Sequence, residues 1–467
     1  MAITELYMQT TGDNMNAGST NADAASVTET NGSWDITADT FIATAATPFG
    51  GVNIGDWVSI YNDGVTSGAV YVAQVTAIYL SGLGVTLSTT AKYGTKPAAG
   101  ATGKSAKVGG AWASMAIATS LFPSVAIPAP TRVNVKAGTY ANTTTNRSIA
   151  SAGTTAIPFI WRGYKTTIGD CDAAPTTTRV DGTDLPYITF TTGSFTIAGD
   201  FITFANISVT GARTAGAQVV LSGQSTRVHR SRFEATGANA AASAIQLNSS
   251  GHVFTDCWIK ATTTATDVID GGTRAFALTG CVIKGGGSHV QISSGRVIMS
   301  KCVLDTPGLY GFRTTGTITG LHIDNCTIIG ATDGVRISTS PNNTATVIVT
   351  NTYFEGCTNA INNNTGGSIA SMHFANNDFF NCTNTYLNFG DHFTAYNDQS
   401  ESASALVSST DRGILSTSNA KSMGGPKLFE NVSYSGYLDI GAVQRQDPGM
   451  RPIPELYGQG GVVYAYG

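Results

Sequence analysis

Hydrophobic and polar residues alternate along most of this chain with a period of two, in short runs broken by Gly, Asn, Asp and Ser. Val219-Val-Leu221, Ile245-Gln-Leu247, Val290-Gln-Ile292 and Val335-Arg-Ile337 are examples. Alternation of this kind predicts strands with one buried face, and no 3.6-residue period competes with it. The runs also repeat. Phe204-Ala-Asn-Ile-Ser-Val209, His229-Arg-Ser-Arg-Phe-Glu234, Phe254-Thr-Asp-Cys-Trp-Ile259 and Leu278-Thr-Gly-Cys-Val-Ile283 begin a series that continues through Met299–Leu304, Ile323–Ile328, Val349–Phe354 and Phe374–Phe379. The fourth positions of the eight copies are Ile207, Arg232, Cys257, Cys281, Cys302, Cys326, Thr352 and Asn377, spaced 21 to 26 residues apart. A period of that size made of strands predicts stacked coils.

Each coil shows two strand segments, and a third is expected near Arg296-Val-Ile298 and Thr346-Val-Ile348. Before the fourth position stand Asn206, Ser231, Asp256, Gly280, Lys301, Asn325, Asn351 and Asn376. Asn or Asp at most of these places predicts a turn whose side chains bond the backbone, stacked coil on coil. The arrangement resembles the pectate-lyase-like right-handed parallel β-helix superfamily over about residues 130 to 400. The resemblance implies an all-β solenoid. It implies no single activity, because lyases, hydrolases and plain binding proteins share that scaffold.

Other segments are similar to the pieces that accompany such solenoids. Tyr7–Gly18 is similar to an opening strand, Val133–Tyr140 and Trp161–Tyr164 to first coils, and Tyr437–Gln444 to a closing strand. The expected organisation is an N-terminal strand segment (1–36), a small inserted antiparallel β-domain (37–110), a capping helix with the β-helix (111–400), and closing strands with an extended arm (401–467). The helix is expected over Trp112–Leu121, with Ser114 as its cap, covering the open end of the first coil.

Charged residues make up 12% of the chain, about half of the roughly 25% usual in soluble domains. With a net charge of −4 and no Lys/Arg cluster, nucleic acid is not an expected partner. No apolar run is long enough to span a bilayer, and the first residues lack a basic region, apolar core and cleavage site. Neither membrane insertion nor signal-directed export is therefore expected. The seven cysteines form no Cys-x-x-Cys pair, which argues against structural zinc. Cys257, Cys281, Cys302 and Cys326 are expected as free thiols stacked in the bore. The six histidines share no metal spacing, and calcium-binding Gly-Gly-x-Gly-x-Asp repeats are absent. No metal or cofactor is expected.

Glycan hydrolysis needs two carboxylates about 5 to 9.5 Å apart for acid/base or nucleophilic work, and elimination needs a basic residue and bound calcium. On coils stacked about 4.8 Å apart, such a pair would appear in one outward column. The column read as Ser222, Asn248, Asp270, Ser293, Arg313, Ser338, Asn362 and Asn388 holds one carboxylate, and the one read as Val220, Gln246, Val268, Gln291, Gly311, Arg336, Ala360 and Tyr386 holds none. Asp270, Asp333 and Glu355 remain as the best isolated candidate acids for an intracoil or intersubunit site. Arg313 and Arg336, one coil apart, are suited to grip an anionic sugar or a neighbouring subunit, with surface solubilisation the commoner role.

The long, charge-poor stack with free thiols, an extra β-domain and a terminal arm resembles the β-helical structural proteins of tailed bacteriophages. That resemblance implies a non-enzymatic, surface-exposed particle component: a tail spike, a fibre or a head decoration. Its implied partners are other virion proteins, two further copies in a homotrimer, and host surface glycan, with assembly into the virion in the host cytoplasm. The rival readings are a tail-spike polysaccharide depolymerase and a bacterial surface adhesin.

Overall fold

A computed structural model of the protein describes residues 3–404, apart from 23, 45, 65–69, 116–118, 120–129, 143–145, 173–180, 214, 238–241, 263–266, 339–341, 365–367 and 390–392. The architecture is all-β: a right-handed parallel β-helix with a closed six-stranded barrel near the N-terminus. Three parallel sheets of 12, 11 and 10 strands run along the solenoid. One coil contributes Ile202–Ala205 to the 12-stranded sheet, Ser208–Gly211 to the 11-stranded sheet and Gly216–Leu221 to the 10-stranded sheet. The expected third strand is present in Gly295–Ser300 and Asn342–Thr350.

Alternation places one side chain of each pair in the bore. Phe204, Val228, Phe254, Leu278, Met299, Ile323, Val349 and Phe374 form one continuous inward column, and all are buried. Each such side chain contributes roughly 1.5 to 3 kcal/mol by leaving water. Ring stacking adds specificity between rungs, as between Phe354 and Phe379, whose centroids are 5.4 Å apart.

Between the 12- and 11-stranded sheets the backbone turns through the left-handed region at one residue per coil. Asn206, Arg230, Asp256, Gly280, Lys301, Asn325, Asn351 and Asn376 all have φ between 44° and 65°. In each coil that residue's N–H donates to a carbonyl of the next coil, for example Asn351 N to Ala375 O at 3.0 Å. Asn and Gly tolerate this conformation best, which explains the composition of the ladder. The side chains bond one another rather than only the backbone: Asn351 Nδ2 donates to Asp324 Oδ1 at 2.7 Å, and Asn397 Nδ2 to Asn376 Oδ1 at 2.8 Å.

One coil departs from the register read in the sequence. Arg230, not Ser231, holds the left-handed position, and Ser231, not Arg232, stands beside Cys257, because Arg232 pairs with Trp258. Ser231 is small enough for the bore and is buried, whereas Arg232 keeps its guanidinium outside, 4.5 Å from the Trp258 ring centroid. Cys257, Cys281, Cys302 and Cys326 are buried free thiols. The column is continued by Thr352 and Asn377, with Cys326 N donating to Thr352 Oγ1 at 3.5 Å and Thr352 N to Asn377 Oδ1 at 3.1 Å. Burial pushes the Cys257, Cys281 and Cys302 thiols well up, so these groups are inert packing atoms.

The opening strand Thr4–Met8 pairs in parallel with Thr131–Lys136, and the barrel is inserted between them. Its strands are Val27–Asp35, Thr40–Ile42, Trp57–Asn62, Tyr71–Tyr79, Gly84–Gly94 and Gly100–Val108, all antiparallel. The barrel begins at Val27 because the Val27–Asp35 strand closes it against Gly100–Val108. It has its own core, including Trp34, Phe41, Phe49, Ile60 and Tyr71. A second set, Trp57, Tyr61, Val70, Val72 and Tyr93, joins the solenoid core instead, and the Tyr93 hydroxyl lies 2.7 Å from Thr131 Oγ1. Of the expected helix, Trp112–Ser114 are not helical, Trp112 forming a parallel bridge with Met8; Met115 and Thr119 are helical and bonded through Thr119 Oγ1 to Met115 O at 2.6 Å; the rest lies outside the described residues, as do the closing strand Tyr437–Gln444 and the terminal arm.

Candidate surface-contact site

Strand pairing in the 10-stranded sheet redraws its outward columns. Gln246 pairs with Asp270, Asp270 with Gln291, Gln291 with Arg313, Arg313 with Arg336 and Arg336 with Asn362. The two outward columns expected from the sequence divide these residues between them. Coils of unequal length caused the error: Ile269 and Phe312 pair with Val290, two residues away from the assumed partner Ile292. The corrected column still holds a single carboxylate, Asp270.

Arg313 and Arg336 are direct neighbours, as expected, and Tyr310 lies between them. Their guanidinium carbons stand 5.3 Å and 4.7 Å from the Tyr310 ring centroid. Arg336 Nη1 donates to Tyr310 Oη at 2.6 Å and its Nε to Ser338 Oγ at 3.2 Å. Both charges are answered. Arg313 reaches Asp267 at 3.5 Å and Arg336 reaches Asp333 at 3.4 Å. Each arginine side chain is about a quarter exposed, so the pair presents guanidinium edges on a rigid face rather than free charge.

Asp333 is almost fully buried. Its Oδ1 accepts from Asn359 Nδ2 at 2.6 Å and Asn362 Nδ2 at 3.1 Å. The amide ladder then continues, with Asn384 Nδ2 donating to Asn359 Oδ1 at 2.8 Å and Asn388 Nδ2 to Asn362 Oδ1 at 3.2 Å. Such a saturated carboxylate holds coils in register. Asp270 accepts from the Gly272 N–H at 3.1 Å, closing a turn. Three rungs separate Asp270 from Asp333, about 14 Å at a rung spacing of roughly 4.8 Å, too far for a shared reaction. Asp267, three residues before Asp270, is pushed up by burial against the pull of Ser288 and Arg313. Glu355 belongs to another sheet, the 11-stranded one, where it accepts from Tyr353 Oη and Ser404 Oγ, both at 2.8 Å.

One acidic pair escaped the sequence reading. Asp378 has its carboxyl pushed up to about 7, first by burial and then by Glu401. The two strands are paired, Asp378 with Gln399 and Phe380 with Glu401. Glu355 and Asp378 also act electrostatically on the half-buried Cys382. Asp378 stands in the last repeat copy and Glu401 one coil beyond it, both on the 11-stranded sheet, whereas the outward columns read in the sequence follow the 10-stranded sheet. Cys357 and Cys382 were likewise missed as a second stacked thiol column, in which the hydrogen bond to Cys382, and then burial, raise Cys357. Among the described residues no group of three or more His, Cys, Asp or Glu could hold a metal ion, and no helix is long and apolar enough to cross a membrane.

No protein-family model matches this chain, and no curated protein matches it in sequence. Solved structures do. A pectate lyase is similar at a TM-score of 0.48 and 15% identity, over 68% of this chain and 89% of that one. An alginate lyase is similar at 0.38 and 13%, over 57% and 38%. A xylose complex of the protein XylC is similar at 0.36 and 8%, over 86% of each chain.

Proposed function

We propose that this protein is a non-enzymatic, surface-exposed structural component of a bacteriophage particle, a tail spike, fibre or head decoration, that contacts host surface glycan and assembles as a homotrimer. The observation that carries the non-enzymatic half is the use made of the candidate acids. Asp333 is consumed by two amides and an arginine, Asp270 by a turn, and Glu355 stands on a different sheet. What remains outward on the 10-stranded sheet is amide, hydroxyl and guanidinium, a surface that hydrogen-bonds sugars or protein without an acid and a nucleophile held together. The particle half rests on the resemblance to phage solenoids and on a rigid, charge-poor, thiol-packed body. Antibody raised against the purified chain, used for immunogold microscopy of intact particles, tests it: label on the particle surface supports the reading, and particles devoid of label overturn it.

A second reading, glycan depolymerase, has one observation in its favour. Asp378 and Glu401 form the kind of carboxyl pair in which one member keeps its proton near neutrality and serves as a general acid. Against it stands the complete burial of Asp378.

A further inference from the structure

At the opposite corner of the solenoid, where the 10-stranded sheet hands the chain to the 12-stranded sheet, a second left-handed turn repeats from coil to coil. Phe201, Ser225 and Gly251 hold it, with φ of 53°, 54° and 84°. Their N–H groups make equivalent bonds to the following coil: Phe201 to Gln224 O at 2.9 Å, Ser225 to Ser250 O at 3.1 Å and Gly251 to Ala275 O at 2.8 Å. Ser and Gly satisfy this turn. A phenylalanine there is strained, because its Cβ crowds the backbone in the left-handed region. The strain is not offset by burial, since Phe201 is 38% exposed. A strained bulky residue with an exposed ring is an outlier of the kind that accompanies function.

The ring borders a groove of about 440 Å³, within the range of small-ligand pockets. Its floor is the outward column Thr203–Arg227–Val253, and its far wall is the 154–158 turn. Arg227 is exposed, and its guanidinium makes no hydrogen bond or ion pair with the described residues, unlike those of Arg313 and Arg336. Thr155, Thr203 and Ser225 supply hydroxyls.

We propose that this groove binds a sugar ring bearing a carboxylate, with the apolar face of the ring on Phe201 and the carboxylate on Arg227. Phe201 and Arg227 lie in neighbouring coils, about 4.8 Å apart in rise, which suits a single six-membered sugar ring. The aromatic face covers axial C–H groups, the hydroxyls share hydrogen bonds with the ring hydroxyls, and the guanidinium fork matches a carboxylate. The inference rests on the attachment half of the proposed function, since it names the chemistry of the glycan contacted. The purified chain tests it without reference to any particle, so the two ideas fail separately.

Calorimetric titration of the full chain with trisaccharides of galacturonate, mannuronate and sialate, and with neutral maltotriose, is the experiment. At least one acidic trisaccharide binds at millimolar concentration or below and maltotriose does not. Arg227→Ala and Phe201→Gly each weaken that binding about tenfold or more, while Phe201→Gly leaves the melting temperature unchanged or raised, because glycine relieves the turn. The proposal is overturned if no acidic trisaccharide binds, if neither substitution weakens binding, or if Phe201→Gly lowers the melting temperature as truncation of the buried Phe204 does.

Discussion

The barrel and the solenoid solve the same problem in opposite ways. Both are made of short strands with alternating buried residues, and both must deal with sheet edges that would otherwise template aggregation. The six-stranded barrel closes on itself, Val27–Asp35 against Gly100–Val108, and has no edge left. The solenoid keeps its sheets open and repeats one rung, so that each coil is held by the coil before and the coil after. The barrel's core is therefore a closed set, whereas the solenoid's is a continuous column in which each residue is backed by near-copies of itself. A closed set fails as a unit. A column fails where it is cut.

Ile292→Asp should make the largest cut. Ile292 is fully buried and its neighbour Gln291 faces outward, so an aspartate at 292 loses several kcal/mol through an unpaired buried carboxylate. Gln291→Asp should change stability by less than about 0.5 kcal/mol. Equal melting temperatures for the two variants would mean that the strand register is wrong by one residue. Next comes Phe41→Ala, which opens a cavity in the barrel's separate core and removes roughly 3 to 5 kcal/mol from that unit. Scanning calorimetry should then show the barrel melting early while the solenoid transition stays in place. A single transition moved as a whole would show that the shared residues Trp57 and Tyr93 fuse the two bodies.

The same contrast decides what could be read from the sequence. Solenoid coils announce themselves because each rung repeats the same constraints: a β-branched or aromatic residue inward, and Asn or Gly at the left-handed turn. The ladder through Asn325, Asn351 and Asn376 was legible for that reason. Where a rung breaks the habit, the reading slips; Arg230 occupies an asparagine's place, and unequal coils hid the column joining Asp270, Arg313 and Arg336. The barrel repeats nothing, so its strands were visible but its closure and its start at Val27 were not. Asp378 and Glu401 escaped because a raised carboxyl depends on burial and on a partner one coil away, which no local pattern displays.

A pH series should expose that pair. Burial and Glu401 raise Asp378 from 3.8 to about 7, so the folded state holds this proton more tightly than the unfolded chain. The stabilisation is fully present below about pH 4 and is lost as pH rises toward about 7. His229 and His252, held down to about 4 by burial, act in the opposite sense: their stabilisation is lost as pH falls from 6.5 toward 4. Comparing the wild type with Asp378→Asn separates the two. The variant should lack the decline between pH 4 and 7, and parallel curves would show that the pair does not titrate as described. A smaller effect should follow at the turn ladder, where Asn351→Ala costs about 1 to 2 kcal/mol in the left-handed conformation and Asn351→Gly costs less. Identical losses would place the stabilisation in the Asn351–Asp324 hydrogen bond rather than in the backbone.

On the proposed reading, the outward face of the 10-stranded sheet binds glycan without cutting it. The most direct measurement is to incubate the purified chain with host capsule and lipopolysaccharide and to follow new reducing ends and unsaturated uronate products. No release above a boiled control is expected. Release that Asp378→Asn abolishes while the fold persists would contradict that reading and make the protein a depolymerase.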